Sequence, residues 1–363
     1  MNIAFFLPSL SSKGGLERAT ITLINTLAEY RSKDIEVTLV TLRDECSAFP
    51  VSDKVNVFYL NINDYRKQYL LLLYKIRKFI KSNDINIFVS VETMTLLFTF
   101  IPMFTLIKRP KFVLWEHFNF KNNNNRRSRD YLRVLASKFL DLIITLTERD
   151  AETWINKLSP SAKVTYIYNI SPFSNHVPFY KTDSKKAVAI GRYVSVKGFD
   201  RLIKAWALYE QKFGSNGWTL DIIGYGELAE QLKHSIILNG LKNVRLVADT
   251  KGVEYYYSNA GLYCMSSYFE GLSMVMIEAQ SFAIPAVAFD IYTGNSEILE
   301  FGSGILVEDG DLEAYATAIH SLTSNINLRL SMSHKALENS TRFKDINIAK
   351  RWLKEFENLL YSY

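Results

Sequence analysis

The chain has 363 residues, of which 48% are hydrophobic and 22% are charged, a balance that excludes disordered and collagen-like polymers. At about 150 residues per domain, this length predicts two domains that each bury a core. The net charge of +6 is uneven: residues 1–179 carry 24 Lys and Arg against 16 Asp and Glu, whereas residues 180–363 carry 19 against 21. The first half therefore suits an anionic surface or substrate, and no nucleic-acid motif accompanies its charge.

The chain opens on apolar strands separated by helices. Residues 2–7 form a continuous apolar run with no basic segment before it, so we expect a strand and no signal peptide. A loop with Gly14 and Gly15 leads into a helix over 16–30. Further strands are predicted at 35–42, 85–91, 111–115, 142–146 and 164–167. Apolar runs without alternation indicate a parallel sheet that is covered on both faces.

Two stretches of the first half raise the question of a membrane. Residues 94–107 are the most apolar, but 14 residues fall short of the roughly 20 that span a bilayer, so a core helix is preferred. Residues 65–82 combine six Lys and Arg with apolar side chains. As a helix this stretch is either a membrane-surface element attracted by anionic lipid or a core helix with a solvated basic face. The arginine-rich run 126–133 adds to the same basic half.

The periodicity breaks at residues 171–185, which read SPFSNHVPFYKTDSK, and we place a linker at 172–185. Strands then resume at 187–190, 219–223, 244–247, 261–265, 286–288 and 304–307, with helices over 199–211, 227–239 and 345–360. The pattern predicts an α/β fold of two doubly wound domains, at 1–171 and 186–344, with segment 345–363 packing back on the first. Ligands of open parallel sheets bind beyond the carboxyl ends of the strands, so the two sheets would face each other across a cleft.

The segment 266–290 is the most informative for chemistry. Glu270 and Glu278 flank Gly271, Leu272 and Ser273, which open a helix. The free N–H groups and the positive dipole end of that helix would hold an anion, and Glu278 would accept hydrogen bonds from two ribose hydroxyls. The alternative is that Glu270 is a helix-terminal charge and Glu278 lies on a solvated helix face.

A second candidate segment, GRYVSVKGFD at 191–200, directly follows a predicted strand. Arg192 and Lys197 would bring two cations to one anionic group, with flanking glycines that permit close backbone approach. The segment lacks the spacing of a Walker loop. Asp309-Gly-Asp311 looks like a metal motif, but its place before a predicted helix favours Asp311 as an N-cap, so we expect no metal site. Cys46 and Cys264 form neither a disulfide framework nor a zinc pattern, so we expect a reducing cytoplasm.

Together, the EGLSMVMIEA and GRYVSVKGFD segments resemble the retaining glycosyltransferases of family 4, which have the GT-B fold of two tandem Rossmann-like domains. The opening PSLSSKGGLER, the TLTERD stretch at 145–150 and GYGE at 224–227 are similar to the same family, in the same order along the chain. Where the family often has Gly-Pro, this chain has Gly294-Asn295.

The resemblance implies a role for each candidate residue. Arg192 and Lys197 bind the donor diphosphate, and Glu278 holds the ribose. Glu270 contacts the transferred sugar, together with the backbone N–H groups of Gly271, Leu272 and Ser273. Gly14 and Gly15 let the first loop approach the donor. His117 lies near the donor sugar, or is a satisfied polar residue at a strand end.

The sequence therefore predicts a glycosyltransferase that moves a hexose or N-acetylhexosamine from a UDP-sugar, or a GDP-sugar, to a lipid-linked saccharide of a bacterial O-antigen, capsule or exopolysaccharide. We expect no cofactor and no required metal, and a peripheral position on the anionic inner face of the plasma membrane. The basic stretches 65–82 and 126–133 are candidates to meet the acceptor pyrophosphate. The alternatives are another GT-B enzyme, such as a nucleotide-sugar epimerase or a phosphorylase, and a non-catalytic basic binding protein at the membrane surface.

Overall fold

A computed structural model describes residues 1–12, 14–30, 34–43, 45–123, 126–177, 179–248 and 252–361. The chain forms two compact units, one of Met1–Ile170 with Asp345–Tyr363 and the other of Ser171–Lys344. The first unit thus includes the final helix. The second unit includes the predicted linker, of which Pro178 lies outside the described residues.

The first unit is a parallel sheet covered by helices. Its strands are β1 (Asn2–Phe6), β2 (Glu36–Thr41), β3 (Asn56–Tyr59), β4 (Ile87–Val91), β5 (Lys111–Trp115), β6 (Leu142–Thr145) and β7 (Lys163–Tyr166). Its helices are α1 (Gly15–Tyr30), α2 (Tyr69–Ser82), α3 (Leu96–Phe104), α4 (Arg127–Phe139), α5 (Glu148–Leu158) and α13 (Asp345–Tyr361). The seven strands lie in the order β3-β2-β1-β4-β5-β6-β7.

Successive residues of these strands point alternately into two apolar layers, one on each face of the sheet. Phe6 packs with Phe88 in the layer beneath α2 to α5, their ring centroids 6.5 Å apart. Phe5 and Trp115 point to the other face, where their rings lie 6.1 and 5.0 Å from the ring of Trp352 on α13. Burial on both faces is why these strands read as unbroken apolar runs.

Two elements of the first unit differ from the sequence prediction. Strand β3 was not predicted, because it is a four-residue edge strand in which no residue is fully buried. Helix α3 lies where a core helix was expected, but Leu97, Ile101 and Phe104 are 38%, 51% and 50% exposed. Helix α3 therefore carries more apolar side chains than the first unit buries.

The second unit repeats the architecture. Its strands are β8 (Lys186–Ile190), β9 (Thr219–Ile223), β10 (Val244–Val247), β11 (Leu262–Met265), β12 (Ala286–Asp290) and β13 (Gly304–Glu308). Its helices are α6 (Phe199–Phe213), α7 (Ala229–Leu238), α8 (Val253–Ser258), α9 (Met274–Ser281), α10 (Asn295–Leu299), α11 (Leu312–Ser324) and α12 (Ile326–Ser340). All pairs are parallel, in the order β10-β9-β8-β11-β12-β13. The predicted α/β fold of two tandem Rossmann-like domains is confirmed.

Candidate functional site

The loops after β8 and β11 meet at the switch point of the second sheet. The chain runs from β8 to β9 and β10 on one side and then returns to β11 on the other. The connections that follow β8 and β11 therefore lead away in opposite directions, which is the arrangement that forms the ligand crevice of open parallel sheets. Gly198, at φ +60°, lies where a Cβ would stand 2.1 Å from the carbonyl oxygen of Ser266. The backbone N–H of Tyr268 donates to the Val196 carbonyl at 2.8 Å. Glycine at 198 therefore permits the backbone contact that joins the two loops.

Lys197 and Glu270 are brought together across this contact. Lys197 Nζ lies 2.8 Å from Glu270 Oε1, which also accepts a hydrogen bond from Ser267 Oγ at 2.7 Å. The hydroxyl of Thr293 donates to the Glu270 carbonyl oxygen at 2.8 Å. The Lys197 and Glu270 side chains are 21% and 14% exposed, so the pair is partly desolvated and still open to a ligand.

Arg192 lies on the same loop, directly after β8, with an exposed side chain. Among the residues that the structure describes, no carboxylate forms an ion pair with its guanidinium. The planar fork of an arginine matches two phosphate oxygens, whereas a lysine acts as a point charge. The loop after β8 thus offers one uncommitted cation and one that is held by Glu270.

The N-terminus of α9 supplies backbone donors beside this pair. Ser273 occupies the N-cap position, and Gly271 and Leu272 precede it. Within the described ranges, the N–H groups of these three residues donate to no backbone or side-chain acceptor. Because the first N–H groups of a helix carry a partial positive charge, this arrangement suits an anion, as the sequence predicts.

Glu278 lies one turn into α9 and is only 2% exposed. The interpretation as a solvated helix face is therefore wrong. Its Oε2 accepts a hydrogen bond from the Tyr257 hydroxyl at 2.9 Å. Burial, followed by the nearby carboxylates of Glu278 and Glu270, raises the pKa of the Tyr263 hydroxyl well above its usual range. The two glutamates thus border the same buried tyrosine, and Glu278 is oriented before any ligand arrives.

In the first unit, Gly14 and Gly15 lie where the β1 loop enters α1. A Cβ on Gly14 would stand 2.4 Å from Glu17 Oε2, whereas a Cβ on Gly15 would meet nothing within 4 Å. The loop is tied down by Glu45, whose Oε1 accepts a hydrogen bond from the Leu10 N–H at 2.5 Å. The open space at Gly15 is where a ligand could approach the backbone.

A buried charge cluster fixes the loops after β4 and β5. Arg129 forms an ion pair with Glu92 and has its Nη1 3.7 Å from Glu116 Oε1, while Arg133 Nε lies 3.4 Å from Glu116 Oε2. The two arginines are 2% and 1% exposed. Run 126–133 is a candidate to meet an acceptor pyrophosphate, but Arg129 and Arg133 are buried and not open to such a ligand. They lie inside because they pair with the Glu92 and Glu116 carboxylates.

His117 follows Glu116 on the loop that this cluster holds. Arg133 donates from Nη1 to the Phe120 carbonyl at 2.6 Å and from Nη2 to the Asn119 carbonyl at 3.0 Å, which fixes the loop. The His117 Nε2 is buried and has no hydrogen-bond partner in the described part of the chain. Burial lowers the pKa of His117 to about 3, so its ring is neutral at physiological pH.

Comparison with known proteins identifies the family. Residues 13–170 match the model described as Glycosyltransferase Family 4, and residues 174–339 match Glycosyl transferases group 1. Over 354 residues the chain is 30% identical to an uncharacterized glycosyltransferase of Haemophilus influenzae, covering 96% of this chain and 98% of that protein. The chain belongs to the family 4 glycosyltransferases.

Two further relatives of this glycosyltransferase have named products or acceptors. The amylovoran biosynthesis glycosyltransferase AmsD of Erwinia amylovora is 25% identical over 96% of this chain and 98% of its own length. A Campylobacter jejuni α-1,4-N-acetyl-D-galactosaminyltransferase, whose named acceptor is an undecaprenol diphosphate-linked saccharide, is 25% identical over 98% of both chains. The fold is also that of Anabaena HepE crystallised with UDP, at a TM-score of 0.79, 20% identity and 99% and 100% coverage.

Sequence reasoning missed several groups that shape the two candidate sites of the glycosyltransferase. Ser267, Tyr257 and Thr293 bind the two glutamates, and Glu116 stands next to the predicted His117. Glu116 and Ser267 had a sequence signal, since Glu116 directly precedes His117 and Ser267 lies inside the segment 266–290, whereas Tyr257 and Thr293 had none.

The aspartates of the DxD-like stretch have structural partners. Asp311 caps α11, since its Oδ1 accepts a hydrogen bond from the Ala314 N–H at 2.8 Å, and this prediction is confirmed. Asp309 forms an ion pair with Arg201 at 2.6 Å. Both carboxylates therefore have stabilising roles within the second unit.

Proposed function

We propose that this glycosyltransferase moves a hexose or N-acetylhexosamine from a UDP-sugar to a lipid-linked saccharide, with retention at the anomeric carbon, during synthesis of a bacterial surface polysaccharide. The observation that supports the proposal is that the loop after β8, which carries Arg192 and Lys197, contacts the segment leading into α9 at the switch point of the second sheet. Two cations and a row of free N–H groups suit a nucleoside diphosphate leaving group.

Different residues of the second unit would bind different parts of the donor. Arg192 would grip two diphosphate oxygens, and Lys197 would neutralise the charge that grows as the sugar–phosphate bond breaks. Glu278, buried and oriented by Tyr257, would accept hydrogen bonds from the ribose hydroxyls. Glu270 would hold the transferred sugar. In this proposal the side chains and the helix terminus neutralise the leaving group without a required metal or cofactor.

For the transfer step we infer attack by the acceptor hydroxyl from the face that the diphosphate leaves. The bond from the anomeric carbon to the phosphate oxygen breaks, the bond to the acceptor oxygen forms, and the acceptor proton passes to the departing phosphate. A neutral His117 would contribute a polar contact to the sugar rather than a positive charge, since its pKa is about 3.

The acceptor and the place of action are part of the same proposal. The relatives AmsD and the Campylobacter jejuni enzyme support a polysaccharide product and a lipid-linked acceptor. We propose that the enzyme works peripherally at the inner face of the plasma membrane, which brings it to such an acceptor. No helix in the described ranges has the length and apolarity to cross a bilayer.

The test starts from purified protein and a panel of UDP- and GDP-sugars. Hydrolysis of one donor to its nucleoside diphosphate identifies the sugar, and transfer to an undecaprenyl diphosphate-linked saccharide tests the acceptor. Proton NMR of the product determines its anomeric configuration. An inverted product would overturn the retaining mechanism, and interconversion of a donor sugar without transfer would establish an epimerase instead.

A further inference from the structure

Helices α2 and α3 present a row of apolar side chains that are each at least 38% exposed in the described chain. These side chains, here called the α2–α3 face, are Leu70 (79% exposed), Tyr74 (58%), Leu97 (38%), Ile101 (51%), Phe104 (50%) and Ile107 (106%). They are spaced by three or four residues along each helix, and Ile107 lies in the loop that follows α3. Single exposed apolar residues are ordinary, but a shared helical face of them marks an interaction surface.

The two helices lie side by side and point the same way. The Tyr69 hydroxyl donates to the Leu97 carbonyl at 2.6 Å, and eight residues further along each chain segment Arg77 Nε donates to the Thr105 hydroxyl at 3.1 Å. Both helices also bury side chains in the same apolar layer, among them Ile76 and Met103, so their exposed rows face away from that layer on the same side. They form one surface.

Within the two helices and the loop that follows α3, the charged side chains are all cationic. Residues 65–82 and 94–109 contain no Asp or Glu. Lys78 and Lys81 are exposed at the end of α2, and Lys108 is exposed just after α3. Lys75 and Arg77 belong to the same basic stretch, but they donate hydrogen bonds to the Leu60 and Thr105 carbonyls. The cations available to a partner are thus fewer than the sequence suggests, and they stand at one end of the apolar rows.

We propose that the α2–α3 face docks on an anionic membrane surface, with its apolar side chains at the acyl boundary and Lys78, Lys81 and Lys108 on lipid phosphates. An apolar surface whose own helices carry only cationic side chains complements anionic lipid, whereas acidic side chains on those helices would be repelled by it. At 14 and 9 residues, α2 and α3 are too short to span the bilayer and would lie on it. The inference rests on the proposed action on a lipid-linked acceptor, and it names the surface that would reach it.

Co-sedimentation with vesicles of phosphatidylglycerol and phosphatidylcholine, compared with phosphatidylcholine alone, tests the surface. We expect preference for the anionic vesicles, about tenfold weaker partitioning for Lys78→Glu with Lys81→Glu, and a similar loss for Ile101→Ser with Ile107→Ser. High salt should weaken wild-type binding without abolishing it, because the apolar contacts are not screened. All four residues are exposed, so the fold should tolerate these changes.

The matched controls lie on the second unit, where Ile237 and Leu238 are 67% and 71% exposed and Lys233 and Lys242 are exposed. The changes Ile237→Ser with Leu238→Ser, and Lys233→Glu with Lys242→Glu, should leave vesicle binding intact. Equal losses from the controls, or a concentration-dependent dimer that only the α2–α3 variants abolish, would overturn the inference. Donor hydrolysis separates the two proposals, because it should persist in the α2–α3 variants whether or not they bind vesicles.

Discussion

Replacement of Lys197 by Ala tests the diphosphate assignment. The change removes the Nζ that stands 2.8 Å from Glu270 Oε1, an atom that also accepts a hydrogen bond from the Ser267 hydroxyl. Because the carboxylate is 14% exposed, its charge would then face the donor phosphates with little screening. Lys197→Ala therefore removes a favourable charge and exposes an unfavourable one.

The magnitude follows from these two effects. Loss of one preorganised contact to a developing negative charge costs about 3 kcal/mol, or on the order of a hundredfold in kcat. The stability cost should be about 1–3 kcal/mol, because the largely buried carboxylate loses its ion-pair partner but keeps the hydrogen bond from Ser267. We therefore expect turnover to fall roughly a hundredfold or more while the protein stays folded with a modestly lower melting temperature.

The assay is steady-state donor turnover with the preferred nucleotide sugar, with Lys204→Ala as the matched control on the exposed side of α6. Arg192→Ala should cause a comparable loss. A double-mutant cycle with Glu270→Ala measures how far Lys197 and Glu270 act as a pair in turnover. Near wild-type turnover in the Arg192→Ala, Lys197→Ala double variant would refute the assignment.

Three further predictions concern the other groups of the two units. Glu278→Ala should raise the donor KM at nearly constant kcat, because a ribose contact is equal in ground and transition states, whereas Glu270→Ala should mainly lower kcat; unchanged kinetics in both would contradict the assignment. Turnover should survive EDTA, and loss restored by Mn²⁺ or Mg²⁺ would establish a metal requirement. Burial, then the Glu116 carboxylate, raises the Glu92 pKa to about 7 against the opposing pull of Arg129. Between about pH 4.5 and 7 the folded state holds this proton and the unfolded state has lost it, so stability falls as pH rises; thermal melts from pH 4 to 8 should show this fall in wild type and not in Glu92→Gln.

The fold was predictable from the sequence because most of its strands are buried on both faces. Such strands appear as unbroken apolar runs, and β1, β4 and β12 were read directly from them. Strand β3 escaped because an edge strand buries too little to leave that signal. Helix α3 was misjudged for the opposite reason, since its apolar composition is not matched by burial within its own unit.

The sequence predicted which segments form the candidate site, but it did not predict which residues of those segments contact each other. The positions of Arg192, Lys197, Glu270 and Glu278 followed from short motifs next to strands and helix starts. That Lys197 binds Glu270 depends on β8 and β11 being neighbours, which is a property of sheet order and not of local sequence. The burial of Arg129 likewise depends on two carboxylates that come from other elements.

The two units use the same switch-point geometry with opposite electrostatic outcomes. In the first unit, β1 and β4 part at the switch, and the Glu92 carboxylate that follows β4 is neutralised within the chain by Arg129. In the second unit, the loop after β8 carries Arg192, which no carboxylate neutralises among the described residues. An anionic ligand is therefore favoured at the second switch point, because it would gain a charge contact with Arg192, whereas at the first the Arg129 guanidinium is already engaged by Glu92 and Glu116. The asymmetry supports the proposal that the donor diphosphate binds to the second unit.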